Sequence, residues 1–243
     1  MPRSLSKSQI DKLGERLAAP LTADEDLDLL ESLRSRDYAN AMSSVIAVLR
    51  DLGVVPGDEL TARLKTNATI IDKLRRGTRL SSMQDLAGVR VARRMPLTQQ
   101  DEFVASLTRR FSEPDGEPRF KVTDRRAVPT SGYRAVHVIV QTDGCPVEVQ
   151  VRTYLQHLWA NTFEFLADRS AFGRGIRYGG QPARDRTSEG HSTSQILSSM
   201  MDLSRELAAL ERFADDTPGA QFYVEESGSE ALATLLEMIG ETP

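Results

Sequence analysis

Side chains that could bind or act on a ligand occur at alternate positions of residues 147–152. Glu148, Gln150 and Arg152 are separated there by single valines. Because alternate residues of a strand share one face, a carboxylate, an amide and a guanidinium would line up together. Exposed strand faces usually carry Thr, Ser or Lys. This set therefore predicts a functional site on a rigid sheet.

A second alternating run precedes this one and predicts a β-hairpin. Residues 136–140 carry valine at every second position, and Thr142-Asp143-Gly144 separates the two runs. An Asp-Gly turn between alternating segments is a strong hairpin signal. Tyr133 and His137 occupy the other face of the first run, so an aromatic ring and an imidazole would join the polar side chains.

A third segment supplies a second carboxylate. Asp85 begins a short stretch, residues 85–91, whose alternation predicts a strand with Gly88 inside it. A glycine inside a strand often marks the close approach of a ligand or another backbone. Asp85 could equally cap that strand. Several cations precede it in the chain: Arg63, Lys65, Lys73, Arg75 and Arg76.

Two carboxylates beside several cations suit a magnesium-bound polyphosphate. Carboxylates bind the hard Mg²⁺ ion, and Lys or Arg neutralise phosphate oxygens. No Gly-x-x-x-x-Gly-Lys-Ser/Thr loop occurs, so side chains rather than a backbone loop would hold the phosphates. The residues alone thus favour a nucleotide-handling phosphotransferase. The alternatives are a solvated basic face and a buried ion-pair network without catalysis.

Composition narrows the class of protein further. The 243 residues carry a formal net charge of −4, which does not indicate a nucleic-acid binder. A single cysteine excludes an internal disulfide, and with only 3 histidines the usual structural zinc set cannot form. The sequence has no signal-peptide core and no run able to cross a bilayer, so we expect no membrane association and a cytoplasmic location.

The elements that would position these residues alternate between helix and strand, which predicts a mixed sheet with helices on at least one face. Residues 1–55 are predicted to form a helical region on a core at 56–178, and 179–243 a flexible loop with C-terminal helices. Thr22 with Glu25 predicts a capping box for the second helix. Strands are predicted at 60–65, 86–91 and 120–123 besides the hairpin, and helices at 67–76, 96–111, 154–168, 194–213 and 229–239.

Four motifs, in this order, resemble those of the RelA/SpoT-type alarmone synthetases over roughly residues 60–170. They are Arg63-x-Lys65 with Lys73, Asp85-Leu-Ala-Gly-Val-Arg90, Gly132-Tyr-Arg-Ala-Val-His137 and Val147-Glu-Val-Gln-Val-Arg-Thr153. The resemblance implies an α+β fold: a mixed five-stranded sheet flanked by helices and related to nucleotidyltransferases, here with helical N- and C-terminal additions. It also implies transfer of the β,γ-pyrophosphate of ATP to the ribose 3′-hydroxyl of GDP or GTP, making (p)ppGpp.

The resemblance also assigns roles by position. Asp85 would bind Mg²⁺, and Glu148 would act as general base or help hold the metal. ATP would be held by adenine stacking on Arg63 and Arg90 and by phosphate contacts from Lys65 and Lys73. Tyr133 would stack on the base of the acceptor nucleotide, and His137 and Gln150 would lie near the acceptor.

The motif before the acceptor strand departs from the family pattern. The family often has Pro-Lys-x-Asn-Gly-Tyr, whereas this chain has Pro129-Thr-Ser-Gly-Tyr133 and lacks the lysine and the asparagine. Neither a His-Asp hydrolase domain nor a regulatory module is expected. The chain therefore resembles a small, stand-alone, synthesis-only member, and we expect a homo-oligomer.

Two alternatives to guanosine-nucleotide synthesis stay open. Leu155-Gln-His-Leu-Trp-Ala160 with Glu164 resembles the toxic branch of small members, some of which pyrophosphorylate the tRNA 3′ end and pair with an antitoxin protein. Cations would then meet tRNA phosphates: Lys121, Arg125, Arg126, Arg174 and Arg177. A catalytically silent nucleotide-binding regulator is the second alternative, and an inert interaction module is the least favoured.

Overall fold

The computed structural model describes residues 5–54, 59–112, 119–168, 187–188 and 191–240. Helices in chain order are α1 Lys7–Ala18, α2 Asp24–Ser32, α3 Ala39–Asp51, α4 Asn67–Arg75, α5 Leu97–Arg110, α6 Tyr154–Asp168, α7 Thr193–Asp216 and α8 Gln221–Met238. A π-helix, Leu33–Tyr38, joins α2 to α3, and a 3₁₀ turn occupies Leu80–Ser82. Strands are β1 Glu59–Leu64, β2 Ala87–Arg93, β3 Phe120–Asp124, β4 Val136–Thr142, β5 Cys145–Thr153, β6 Thr187–Ser188 and β7 His191–Ser192.

Five strands form one sheet in the order β1-β2-β5-β4-β3, which confirms the predicted α+β fold with a mixed five-stranded sheet. The central strand is β5, the strand that carries Glu148. Its alternating valines, Val147, Val149 and Val151, are fully buried, so the face of the strand that carries them belongs to the apolar core. The short pair β6 and β7 forms a separate antiparallel ladder.

The predicted hairpin is confirmed, with Asp143-Gly144 as its two-residue loop between β4 and β5. Both residues have positive φ, 50° for Asp143 and 79° for Gly144. This is the backbone that a tight hairpin loop with the right-handed strand twist requires, and Asp-Gly adopts it readily. Strand β4 begins only at Val136, so Tyr133 lies in the segment before the strand.

The contacts divide the chain into two compact units. The first contains Met1–Val91, Val104–Val122 and His137–Gln150, and so holds most of the sheet with α1 to α4. The second contains Ala92–Phe103, Thr123–Val136 and Val151–Pro243, and its apolar core is built from α6, α7 and α8. The division predicted from the sequence, at residues 55 and 178, stays a prediction.

The N-terminal helices differ from expectation at one cap. No side chain caps α2, and the Thr22 hydroxyl donates to the Leu17 carbonyl instead, so the predicted Thr22–Glu25 capping box is wrong. Capping boxes occur at two other helices, at α1 from Ser6 with Gln9 and at α7 from Ser192. The polar segment predicted around 173–192 lies mostly outside the described residues, as do Arg174 and Arg177. Within the described ranges, no helix has the length and apolar character needed to cross a membrane.

Candidate active site

Asp85 holds two lysines in the first unit. Lys65 directly follows β1, Lys73 lies on α4, and both ammonium groups contact the same carboxylate oxygen, Oδ2, at 2.6 and 2.8 Å. The Lys65 amide donates to the Leu86 carbonyl at 2.9 Å, which aligns the end of β1 beside the residue that follows Asp85. Three residues far apart in sequence therefore form one cluster.

The two lysines determine the charge state of Asp85. Burial raises the pKa of this carboxyl, but the hydrogen bonds and charges of Lys65 and Lys73 together outweigh it and hold the pKa below its usual value. Asp85 is consequently ionised at neutral pH. The cluster remains partly open to solvent, because 30% of the Asp85 side chain and 33% of the Lys73 side chain are exposed.

Glu148 is held through both of its carboxylate oxygens. The His137 ring nitrogen Nδ1 lies 2.9 Å from Oε1, and the Gln150 amide donates to Oε2 at 3.0 Å. Burial raises the pKa of Glu148, and the charge of Asp85 adds to that rise. The hydrogen bond and charge of His137, with a smaller contribution from Gln150, outweigh both, so the pKa lies below its usual value. The structure thus places an oriented, ionised carboxylate at the centre of the sheet.

Asp85 and Glu148 line one cleft of about 340 Å³. The remaining lining residues come from α4 and the turns that follow it: Lys73, Arg76, Thr78, Ser82, Met83 and Gln84. Thr78, Ser82 and Gln84 were not among the predicted site residues, whereas Arg76 is one of the cations noted before Asp85 in the sequence. Sequence reasoning misses them because Thr, Ser and Gln between a helix and a strand are typical turn residues.

The two carboxylates of this cleft fit Mg²⁺. They are too few for a metal ion that is bound by protein side chains alone. Among the described residues, no group of three or more His, Cys, Asp or Glu side chains is arranged to hold an ion. Mg²⁺ characteristically takes one or two carboxylates and completes its shell with water and substrate phosphates. Asp85 and Glu148, two hard-oxygen donors facing the same cleft, match that pattern.

Arg63 and Arg90 lie on the neighbouring strands β1 and β2. Arg63 is exposed and Arg90 half-buried. A Cβ added to Gly88, on β2, would lie 4.0 Å from the Arg63 carbonyl oxygen on β1. Their predicted stacking on adenine remains a prediction.

The N-terminal region contributes one contact that the sequence did not indicate. Arg34, in the π-helix, donates from Nη1 to the Lys65 carbonyl at 2.9 Å, and Glu31 binds both Arg34 and the Asn67 amide. The predicted role of this region was only to cover the sheet. It also binds the backbone carbonyl of Lys65, the lysine closest to Asp85.

Tyr133 and Arg152 form a buried pair in the second unit. The Arg152 guanidinium lies 5.0 Å from the Tyr133 ring centroid, and its Nη2 donates to the phenol oxygen at 3.0 Å. Arg152 continues the alternation of Glu148 and Gln150 along β5, but it is 1% exposed, so it is not open to a ligand. The stacking role of Tyr133 stays a prediction.

Two further polar side chains of the second unit are hydrogen-bonded or ion-paired with neighbouring residues. His157, on α6, is 5% exposed, and its Nε2 lies 2.8 Å from the Asn161 amide. Arg126, a predicted tRNA contact, forms ion pairs with Asp124 and Asp101.

Comparison with known proteins identifies the central segment. The protein family described as "Region found in RelA / SpoT proteins" matches residues 62–165, which include Asp85, Glu148 and the hydrogen-bond partners of both. The chain contains a RelA/SpoT domain. The resemblance seen in its four motifs is thereby confirmed. No role of any single residue follows from this match.

Curated relatives of the RelA/SpoT domain occur in mycobacteria. Uncharacterized proteins of Mycobacterium tuberculosis and Mycobacterium bovis are 39% identical over 154 residues, covering 61% of this chain and 54% of each relative. The chain thus spans about half the length of the curated relatives it matches.

Solved structures share the fold of the RelA/SpoT domain. The small alarmone synthetase 1 from Bacillus subtilis, bound to its product pppGpp, matches with a TM-score of 0.52 and 22% identity over 78% of this chain and 95% of its own. A GTP pyrophosphokinase family protein from Streptococcus pneumoniae matches with a TM-score of 0.52 and 19% identity over 84% and 98% of the two chains.

Proposed function

We propose that the chain transfers the β,γ-pyrophosphate of ATP to the ribose 3′-hydroxyl of GDP or GTP, making a (p)ppGpp-type alarmone. One observation carries the proposal: Asp85 and Glu148, which are 63 positions apart by their residue numbers, line the same cleft beside Lys73 and Arg76. A cleft with two ionised carboxylates and flexible cations suits a triphosphate better than an apolar ligand. The product pppGpp bound to the Bacillus subtilis synthetase of similar fold supports a guanosine nucleotide as the acceptor.

The lysines on Asp85 supply the phosphate-binding charge. Lys73 is one-third exposed at its side chain, so its ammonium group can exchange Asp85 for a phosphate oxygen with little rearrangement. Lys65 is 12% exposed and is held from the backbone side by Arg34, which suits a fixed contact. Phosphate contacts from both would clamp the leaving group before transfer.

Glu148 is suited to accept the proton of the attacking hydroxyl. Its lowered pKa keeps it ionised at neutral pH, and the contacts from His137 and Gln150 prevent it from rotating away. In the transfer, the 3′-oxygen bonds to the β-phosphorus and the bond from that phosphorus to the α,β-bridging oxygen breaks. AMP leaves, and Glu148 Oε takes the hydroxyl proton.

Asp85 and Glu148 would hold the magnesium ion that the donor set of the cleft fits. When bound, Mg²⁺ neutralises negative charge on the triphosphate oxygens. The assignment of Asp85 as the principal ligand rests on its ionised state and on its position in the turn before β2, where it lines the cleft. Displacement of Lys73 from Asp85 Oδ2 would open that oxygen to the ion.

The acceptor is tested by incubating the protein with ATP labelled at the γ-phosphate, together with GDP, GTP, AMP or bulk tRNA in parallel. We expect label on GDP or GTP. Label on tRNA alone would assign the toxic alternative, for which an antitoxin partner would then be sought. Tight ATP binding without any labelled product would contradict the proposal and favour the silent regulator.

Glu148→Gln is the matched test of the residue assignment, because it keeps the side-chain shape and removes the base. We expect the transfer rate to fall by about a hundredfold to ten-thousandfold. Glu15→Gln is the control, since Glu15 is an exposed carboxylate on α1. A Glu148→Gln variant as active as the Glu15→Gln control would disprove the role of Glu148.

A further inference from the structure

Arg34, in the π-helix Leu33–Tyr38 of the first unit, contacts the backbone at the end of strand β1. Its Nη1 donates to the Lys65 carbonyl at 2.9 Å, and Lys65 directly follows the last residue of β1. The Lys65 amide donates to the Leu86 carbonyl at 2.9 Å. The backbone polar groups on both sides of the Lys65 Cα are therefore hydrogen-bonded. Since π-helical turns are rare and occur frequently at functional sites, this contact indicates more than a cover for the sheet.

Glu31 joins Arg34 to the start of helix α4. Its Oε1 accepts from Arg34 Nη2 at 2.9 Å, and its Oε2 accepts from Asn67 Nδ2 at 3.1 Å. The hydrogen bond from Arg34 lowers the pKa of Glu31, so this carboxylate is ionised at neutral pH. Asn67 is the first residue of α4, the helix that carries Lys73. One ion pair therefore connects the backbone of Lys65 to the helix that carries the other lysine.

The shape of the guanidinium suits Arg34 to this double contact. A guanidinium presents its N–H donors in a fixed plane, so one nitrogen can bind a carbonyl while another binds a carboxylate. The Arg34 side chain is 18% exposed, which limits competition from water. Arg36, two residues later in the same π-helix, is 47% exposed and pairs with its neighbour Asp37. It provides a matched arginine for comparison.

We propose that Arg34 is a positioning residue for the ATP triphosphate: it fixes the Lys65 backbone and so orients the Lys65 ammonium group beside the cleft. That group contacts Asp85 Oδ2 at 2.6 Å, and Asp85 lines the cleft. The proposal rests on the proposed function, in which Lys65 contacts the phosphates of ATP. A side chain that is already held in place loses less conformational freedom on binding, which favours affinity. Arg34 lies outside residues 62–165, the segment that matches the RelA/SpoT family, so this contribution comes from the N-terminal region.

Arg34→Met tests the proposal against Arg36→Met, because methionine keeps an unbranched side chain and removes the N–H donors. The readout is the Kd of α,β-methylene ATP with Mg²⁺, measured by calorimetry. The methylene group of this analogue replaces the bridging oxygen whose bond breaks in the proposed transfer. We expect Kd to rise about threefold to tenfold in Arg34→Met relative to Arg36→Met, which is the cost of ordering one long side chain. The acceptor KM at saturating ATP should stay within about twofold of the control. A lower Tm with an unchanged Kd would overturn the proposal, as would an equal rise in Kd and in the acceptor KM.

Lys65→Met shows whether Arg34 acts through Lys65. Once the ammonium group is absent its orientation no longer matters, so adding Arg34→Met should change Kd by less than about twofold. An effect of Arg34→Met as large as in the otherwise unaltered chain would overturn the proposal. If Arg34→Met does not fold, Glu31→Gln replaces it, since the Glu31 side chain is 46% exposed and glutamine keeps its shape. Kd should then rise at least about twofold, because Arg34 loses its charged partner. An unchanged Kd in Glu31→Gln would overturn the proposal.

Amide hydrogen exchange, measured by NMR, separates failure of this proposal from failure of the proposed function, because it requires neither ATP nor turnover. The Lys65 amide should exchange at least about fivefold faster in Arg34→Met than in Arg36→Met, since its hydrogen bond to the Leu86 carbonyl loses support. Equal exchange in the two variants overturns the positioning of Lys65 by Arg34. An unaltered protein that neither binds α,β-methylene ATP nor transfers label to any acceptor overturns the proposed function, and the role of Arg34 with it.

Discussion

Replacing Asp85 by Asn should destabilise the protein because it removes the charge between two lysines. Both ammonium groups contact one oxygen of Asp85, at 2.6 and 2.8 Å. A hydrogen bond to a charged group contributes about 1.5–3 kcal/mol, and partial solvent exposure reduces that figure. With 30% of the Asp85 side chain exposed, we expect a total loss of about 2–3 kcal/mol, part of it from repulsion between the lysines.

Thermal unfolding measures this loss directly. For a chain of this size each kcal/mol shifts Tm by about 2–4 °C, so Asp85→Asn should lower Tm by about 4–12 °C at neutral pH. Asp72→Asn is the matched control on α4. Its ion pair with Arg76 is 68% and 64% exposed, and an exposed pair of this kind contributes about 0–1 kcal/mol. Equal Tm losses in the two variants would refute the reasoning.

The pH dependence of the Tm difference between the unaltered protein and Asp85→Asn tests the same ion pairs. The two lysines hold the pKa of Asp85 below its usual value of 3.8. Its stabilising effect is therefore fully present above that value and is lost as the pH falls through the lower folded-state pKa. The difference in Tm between the unaltered protein and Asp85→Asn should narrow below about pH 3.8. A difference that widens on acidification would show that the assigned ion pair is wrong.

Two further predictions concern the second unit and its turns. Gly132→Ala should lower Tm more than Gly53→Ala, because both positions have positive φ, 86° and 84°, but only Gly132 has side-chain atoms within 4 Å of the added Cβ. The backbone strain common to both costs about 1–2 kcal/mol, and equal Tm values would contradict the packing described. Burial raises the pKa of Glu211 above its usual 4.5, so its ionisation costs stability as the pH rises. The Tm of Glu211→Gln minus that of the unaltered protein should therefore increase from pH 4 to pH 8. A Tm difference that does not change with pH would argue against a raised pKa.

The hairpin and its polar face show what local patterning can predict. Alternating valines and an Asp-Gly loop specify β4 and β5 through contacts between residues close in sequence. The alternation also places Glu148 and Gln150 on one face, where they hydrogen-bond each other. Arg152 continues the same alternation yet is buried, with its guanidinium against the Tyr133 ring. Period-two patterning indicates the face of a strand, but not what packs on that face.

Long-range contacts set the rest of the candidate site. The clustering of Lys65 and Lys73 on Asp85 depends on strand order, which motif order suggests but residue spacing does not determine. Arg34 had no signal in the sequence at all. A lone arginine in a helical segment is an ordinary residue, and its contact with the Lys65 carbonyl arises only from tertiary packing.

The identity of the adenosine product tests the central claim most directly. Pyrophosphate transfer through the Asp85 and Glu148 cleft releases AMP, whereas phosphate transfer or simple hydrolysis releases ADP. Nucleotides are separated after incubation of the protein with ATP, Mg²⁺ and GDP or GTP. We predict one AMP for each acceptor molecule modified, and release of AMP by Glu148→Gln that is at least about a hundredfold slower. ADP as the product, or AMP release by Glu148→Gln at the rate of the unaltered protein, would contradict the account.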